Sequence, residues 1–96
     1  MAVDLGQVRG LAQAFLDSLD NLEAKEREQQ PSAPFGENFN NVLQLAKEAE
    51  PTIDARMWPK SVETYESAVG RKLTRSHYVE LATYARQVLA LLPMPM

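Results

Sequence analysis

His77 is the only histidine of the chain, and a histidine acts as a general base only beside a nucleophile or an orienting carboxylate. Ser76 adjoins it, but neighbours on a helix point roughly 100° apart, so the two form no dyad. His77 and Glu80 share a helix face at i, i+3, yet a metal site takes three or four protein ligands. The helical di-iron pattern also runs Glu-x-x-His on two helices, the reverse of the order found here once. The pair therefore reads as solvated side chains in the first turn of a helix. Asp17, Asp20 and Glu23 lie three apart, and carboxylates serve as acid and base only in a cleft that separates their pKa values. On an amphipathic helix they read as its polar stripe.

Arg71, Lys72 and Arg75, with His77 nearby, form the densest basic cluster of the chain. At a helix start such cations and the free backbone N–H groups would converge on a phosphate. A helix on either side of Gly70 would also have the outline of a helix-turn-helix, with the last helix as reader. The match is partial: Glu66 stands where a small residue is needed, and Arg71 and Ser76 where apolar ones are. Among the aromatic residues, Trp58, Tyr65 and Tyr78 fall on apolar stripes and read as core. Tyr84 lies beside Leu91 on a flank of the last helix, and Leu16 holds a comparable place on the first. Extra apolar width of this kind suits a partner-binding or dimerising face.

These residues belong to a chain of 96 residues, 45% hydrophobic and 24% charged, which is ordinary globular composition for one domain. With no cysteine, disulfides, Cys-based metal sites and thiol catalysis are excluded. No apolar run approaches eighteen residues and no basic start precedes one. Neither a signal peptide nor a membrane span is expected, and a cytoplasmic protein is. The net charge of −3 is uneven: residues 1–50 hold nine acids against four bases, and residues 51–96 four acids against six bases. A polyanion would be repelled by the first half, so any nucleic-acid contact must come from the second.

Four helices are predicted, near 5–28, 38–49, 59–69 and 75–92, in an all-α domain spanning 1–92 with a loose tail at 93–96. Asp4 and Gln7 have the form of a capping box before the apolar series from Leu5 to Leu22. Gly6 and Gly10 weaken the first turns or mark the close approach of another helix. Pro31, Pro34 and Gly36 read as a loop pinned by Phe35, and Asn38 as the next N-cap. Pro59 suits a first helical position, Trp58, Val62, Tyr65 and Val69 recur at helical spacing, and Gly70 fits a left-handed cap. Thr74 is the expected N-cap of the last helix, with Leu73 and Tyr78 as its hydrophobic staple. Val8, Phe15, Leu19, Leu22, Val42, Leu43, Val62, Tyr65, Leu81, Ala85 and Val88 form the expected core. The pattern leaves bundle-like and orthogonal packings open.

The reading that follows is a small non-catalytic module for protein–protein interaction or dimerisation, using Leu16, Tyr84 and Leu91 and needing no cofactor. A dimer at micromolar concentration is expected, weakened by Leu16→Glu or Leu91→Glu without unfolding. The alternatives are a nucleic-acid-binding or regulatory domain using Arg71, Lys72, Arg75 and His77, and an enzyme using carboxylates in a helical cleft. The partner is another protein or a second copy, with nucleic acid second and no membrane.

Overall fold

The computed structural model describes residues 4–92, so the expected tail at 93–96 lies outside the described residues. Its elements are α1 (Leu5–Asp20), α2 (Ala24–Arg27), α3 (Ala33–Ala49), a 3-10 turn (Ala55–Met57), β1 (Thr64–Glu66), β2 (Lys72–Thr74) and α4 (Tyr78–Leu91). The molecule is mostly helical, with a small two-stranded antiparallel sheet that the all-α expectation lacks.

Helix α1 starts as expected: the Asp4 carboxylate accepts from the Gly6 and Gln7 N–H groups at 2.9 and 3.4 Å. It stops at Asp20, not near residue 28. Beyond Leu22 no large apolar side chain can extend the buried stripe, and the chain turns through Asn21 into the single turn of α2. Buried Val8, Ala12, Phe15, Leu16 and Leu19 of α1 meet Phe39, Val42, Leu43 and Ala46 of α3, and Leu81, Ala85 and Val88 of α4. Phe15 stacks on Phe35 and Phe39 with ring centroids 4.9 and 5.7 Å apart. Arg9 runs across to the far end of α4, donating to the Leu89 and Leu92 carbonyls at 3.2 and 2.6 Å. That contact satisfies carbonyls a helix C-terminus leaves free, and it shows that α1 and α4 are antiparallel. Phe35 and Phe39 of α3 meet Tyr78 and Tyr84 of α4 in the same order, so α3 and α4 run parallel. Residues 50–77 must therefore return along the length of the body.

Helix α3 begins five residues before the expected Asn38, with Ser32 at its N-cap position and Pro34 in its first turn. A proline fits there because its missing N–H would have had no intrahelical partner. Gly36 is helical and buried, and its role is close approach: a β-carbon built on it would stand 2.3 Å from Thr74 Oγ1. Gly6 and Gly10, the expected places of close approach, have no such neighbour. Among the described residues only the Asp4 carboxylate lies near Gly6, and nothing lies within 4 Å of Gly10.

The helix expected at 59–69 is absent, and β1 occupies its second half. Thr64 pairs with Thr74, Tyr65 with Leu73 and Glu66 with Lys72. Ala68, Val69 and Gly70 make the connection: the Ser67 N–H donates to the Arg71 carbonyl at 2.7 Å and the Gly70 N–H to the Ser67 carbonyl at 2.9 Å. Gly70 has φ 81°, so the left-handed conformation expected of it is real. It serves a three-residue hairpin loop, where a type I turn commonly ends in a left-handed glycine. Val69, expected on a helix stripe, is 80% exposed at the hairpin tip. The helical spacing of Val62, Tyr65 and Val69 was coincidental over so short a stretch.

Thr74 does not cap α4. It is fully buried in β2, where its hydroxyl donates to the Ser32 carbonyl at 2.9 Å. The N-cap position belongs to His77, whose backbone N–H donates to Glu80 Oε1 at 3.0 Å. With the cap at His77, Leu73 and Tyr78 no longer flank it as a staple, and Tyr78 makes an edge-on contact with Phe35 at 5.3 Å.

Candidate interaction site

The residues expected to offer a surplus helix face are placed largely inside. Leu16 is 8% exposed and part of the core, and Tyr84 and Leu91 are half-buried against it. Tyr84 packs on Phe39 at 6.1 Å. Among the described residues the large apolar side chains that do face solvent are Leu11, Met57, Val69 and Val79, each on a different element.

The basic residues are spread along the hairpin and its exit, not gathered on a helix start. Lys72 stands on β2 opposite Glu66. The Arg75 guanidinium lies 4.9 Å from the centre of the Tyr65 ring, and its Nε lies 3.5 Å from Glu63. Arg71 is exposed where the hairpin loop closes, its N–H donating to Ser67 Oγ at 3.1 Å. His77 Nδ1 is 3.0 Å from Glu80 Oε1. The His77 backbone N–H, and then its ring, hold the Glu80 carboxyl below its ordinary range. Lys72, Arg75 and His77 thus each have an acidic neighbour, which lowers the field available to a phosphate chain. Of the carboxylates, Asp17 is exposed and accepts from the Gln13 amide at 2.8 Å, and Glu23 is exposed at the start of α2. Asp20 lines a small pocket of about 50 Å³ with Leu19, Tyr78, Val79, Ala82 and Arg86.

What the structure does assemble is a hairpin clamped to the helical body from several sides. Its β2 edge is sealed, since Ser32 bridges Leu73 and the Thr74 N–H donates to the Pro31 carbonyl at 2.8 Å. Gln30 accepts the Tyr65 hydroxyl and donates to the Arg75 carbonyl at 3.0 Å. On the other edge, Asn40 of α3 offers its side-chain amide to Val62: Nδ2 donates to the Val62 carbonyl at 3.0 Å and Oδ1 accepts the Val62 N–H at 2.8 Å. A primary amide used in this way copies the donor and acceptor of a neighbouring strand.

Register decides what lies beyond that clamp. Along an antiparallel pair the backbone groups point alternately toward and away from the partner strand. The Arg75 N–H reaches the Glu63 carbonyl and the Ser67 N–H the Arg71 carbonyl, whereas the Thr74 N–H points away to Pro31. Residues 63, 65 and 67 therefore bond to β2, and 62, 64 and 66 face outward. Asn40 takes Val62, and the N–H and C=O groups of Thr64 and Glu66 continue the edge with no partner among the described residues. Beside them opens a groove of about 310 Å³ lined by Ala33, Glu37, Thr64, Tyr65, Glu66 and Lys72.

Asn40, Glu37 and Thr64 escaped the sequence reading, and Glu66 entered it only as a mismatch to a helix-turn-helix. One signal for the hairpin was nonetheless present: Glu63 with Arg75, Thr64 with Thr74 and Glu66 with Lys72 are placed symmetrically about Val69, next to a glycine, as cross-strand pairs would be.

No helix among the described residues is long and apolar enough to cross a membrane. Comparison with known protein families, with curated proteins and with solved structures finds no match to this chain.

Proposed function

We propose that this protein is a non-catalytic protein–protein interaction module whose contact surface is the β1–β2 hairpin. The observation that carries the reading is the open outer edge of β1. Its Thr64 and Glu66 backbone groups have no partner among the described residues, and an unpaired strand edge is a ready template for another polypeptide. The hairpin tip adds an apolar contact in Val69, which is 80% exposed. Dimerisation through Leu16, Tyr84 and Leu91 has less support, because those side chains already pack within one chain.

The test is a photo-reactive benzoylphenylalanine placed at Ala68 beside the tip, in the cells that express the protein. Gln87, exposed on α4, serves as the control position. A discrete cross-linked product from position 68 and none from 87 is the expected result, whether the captured chain is another protein or a second copy. No product, or equal labelling at both positions, would reject the hairpin as an interaction surface.

A further inference from the structure

We infer that the outer edge of β1 accepts an extended peptide as an antiparallel third strand, with a Lys or Arg side chain of that peptide lying in the groove between Glu37 and Glu66. This deepens the reading of the hairpin as the contact surface and rests on it.

Strand addition needs backbone groups aimed at solvent and room beside them, and both are present. Thr64 and Glu66 offer two donors and two acceptors in strand register, starting one residue pair past the Asn40 clamp. The side chains of Thr64 and Glu66 share a face with those of Lys72 and Thr74, because directly paired residues project to the same side of a sheet. Thr74 meets Gly36 of α3 on that face, so it is the face turned to the helix, and the groove lies there. A strand added along β1 therefore sends alternate side chains into the groove, opposite Thr64 and Glu66.

Charge selects the occupant. Two carboxylates, Glu37 and Glu66, line the groove against the single ammonium of Lys72, so one further cation completes the balance and an acidic side chain is disfavoured. The chain already pairs the opposite edge of β1: there β2 sets Lys72 against Glu66, Leu73 against Tyr65 and Thr74 against Thr64. A partner segment reading basic–apolar–Thr or another β-branched residue repeats that pairing on the open side. Peptides that add to a sheet edge take affinity from main-chain hydrogen bonds and specificity from alternate side chains, which is the division of labour seen here. The edge is short and flanked by acids, a form that discourages indiscriminate pairing. The pairing would then be selective for a basic strand.

The probe is the peptide acetyl-Arg-Lys-Leu-Thr-Arg-amide, which copies residues 71–75, titrated into the full ¹⁵N-labelled chain. Saturable shifts centred on the Thr64 and Glu66 amides, with slowed hydrogen exchange at both, are expected. Thr64→Pro should abolish them. Its N–H takes no part in the β1–β2 ladder, and proline is tolerated on an edge strand whose N–H faces solvent. The hairpin should survive, as cross-strand NOEs would show. Glu37→Lys should weaken the peptide several-fold and prefer the variant peptide with Glu in place of Lys. If Thr64→Pro loses the hairpin, this charge exchange decides alone: restored binding supports the inference and its absence overturns it. Absence of saturation at millimolar peptide, shifts confined to the helices, or unchanged binding to a folded Thr64→Pro chain would each overturn it. A cross-link from position 68 combined with any of these would leave the hairpin as a contact surface and remove only strand addition.

Discussion

Helix α1 and the β1–β2 hairpin are held by contacts of different range. Along α1, side chains three and four apart meet the core at every turn from Val8 to Leu19, so the element is stabilised by its own periodicity. The hairpin has three residues in each strand, too few to stand alone in water. Its hold comes from residues distant in sequence: Gln30 at Tyr65 and Arg75, Pro31 and Ser32 at Thr74, and Asn40 at Val62. An element of the first kind announces itself in the sequence. One of the second kind exists only once its neighbours are in place, and it can leave an edge free for a further strand.

The largest expected effect tests the helical side of that comparison. If Leu16 is core, as its 8% exposure indicates, Leu16→Glu should cost at least about 3 kcal/mol, since it removes a buried leucine and buries a carboxylate. Urea unfolding measures this directly. A fully stable variant with a reduced molecular mass in solution would instead restore Leu16 to a surface between copies.

A smaller effect tests the junction. On an exposed helix Gly→Ala stabilises by up to about 1 kcal/mol. At Gly36 the new methyl would meet Thr74 Oγ1 at 2.3 Å and Cγ2 at 2.8 Å. Gly36→Ala should therefore destabilise by about 1–3 kcal/mol, the usual cost of overpacking. Gly10→Ala, with nothing within 4 Å, should stabilise by about 0.5–1 kcal/mol. Opposite signs are the expected outcome in thermal unfolding. A gain at both positions would mean that α3 does not press against the hairpin.

The smallest effect lies at the exit from hairpin to helix. Hydrogen bonds from His77 lower the Glu80 pKa below its ordinary 4.5. A carboxylate shifted down on folding contributes its full stability above the unfolded value, and the contribution fades as pH falls through the folded one. The side chain is 45% exposed, so solvent screening keeps the contribution small. The stability difference between the natural chain and Glu80→Gln should be level at neutral pH and shrink below pH 4.5. A difference that widened toward acid would reverse the assignment of the cap.

Helices α1 and α4 were legible because each carries enough apolar residues at 3.6-residue spacing to define a face. Nine of the eleven expected core residues are indeed buried, and the other two, Leu22 and Tyr65, are half-buried. Pro34 and Gly36 misled because both types usually interrupt helices, and here each has a local reason to be helical: a first-turn position for one, contact with Thr74 for the other. At the candidate site the basic residues were visible. Their acidic neighbours, the Asn40 clamp and the outward edge of β1 were not, since each depends on residues brought together across the chain.

Sequence alone determined the mainly helical body, the Asp4 cap, the left-handed Gly70 and the apolar residues that build the core, because each follows from interactions within a few residues or from plain burial. Tertiary structure decided where α3 and α4 begin, that residues 64–74 form a hairpin, and which edge of it stays open. A three-residue strand has too little local preference to choose its own conformation. Partners supplied from afar made the choice: the Asn40 amide, the Pro31 carbonyl and the space left by Gly36.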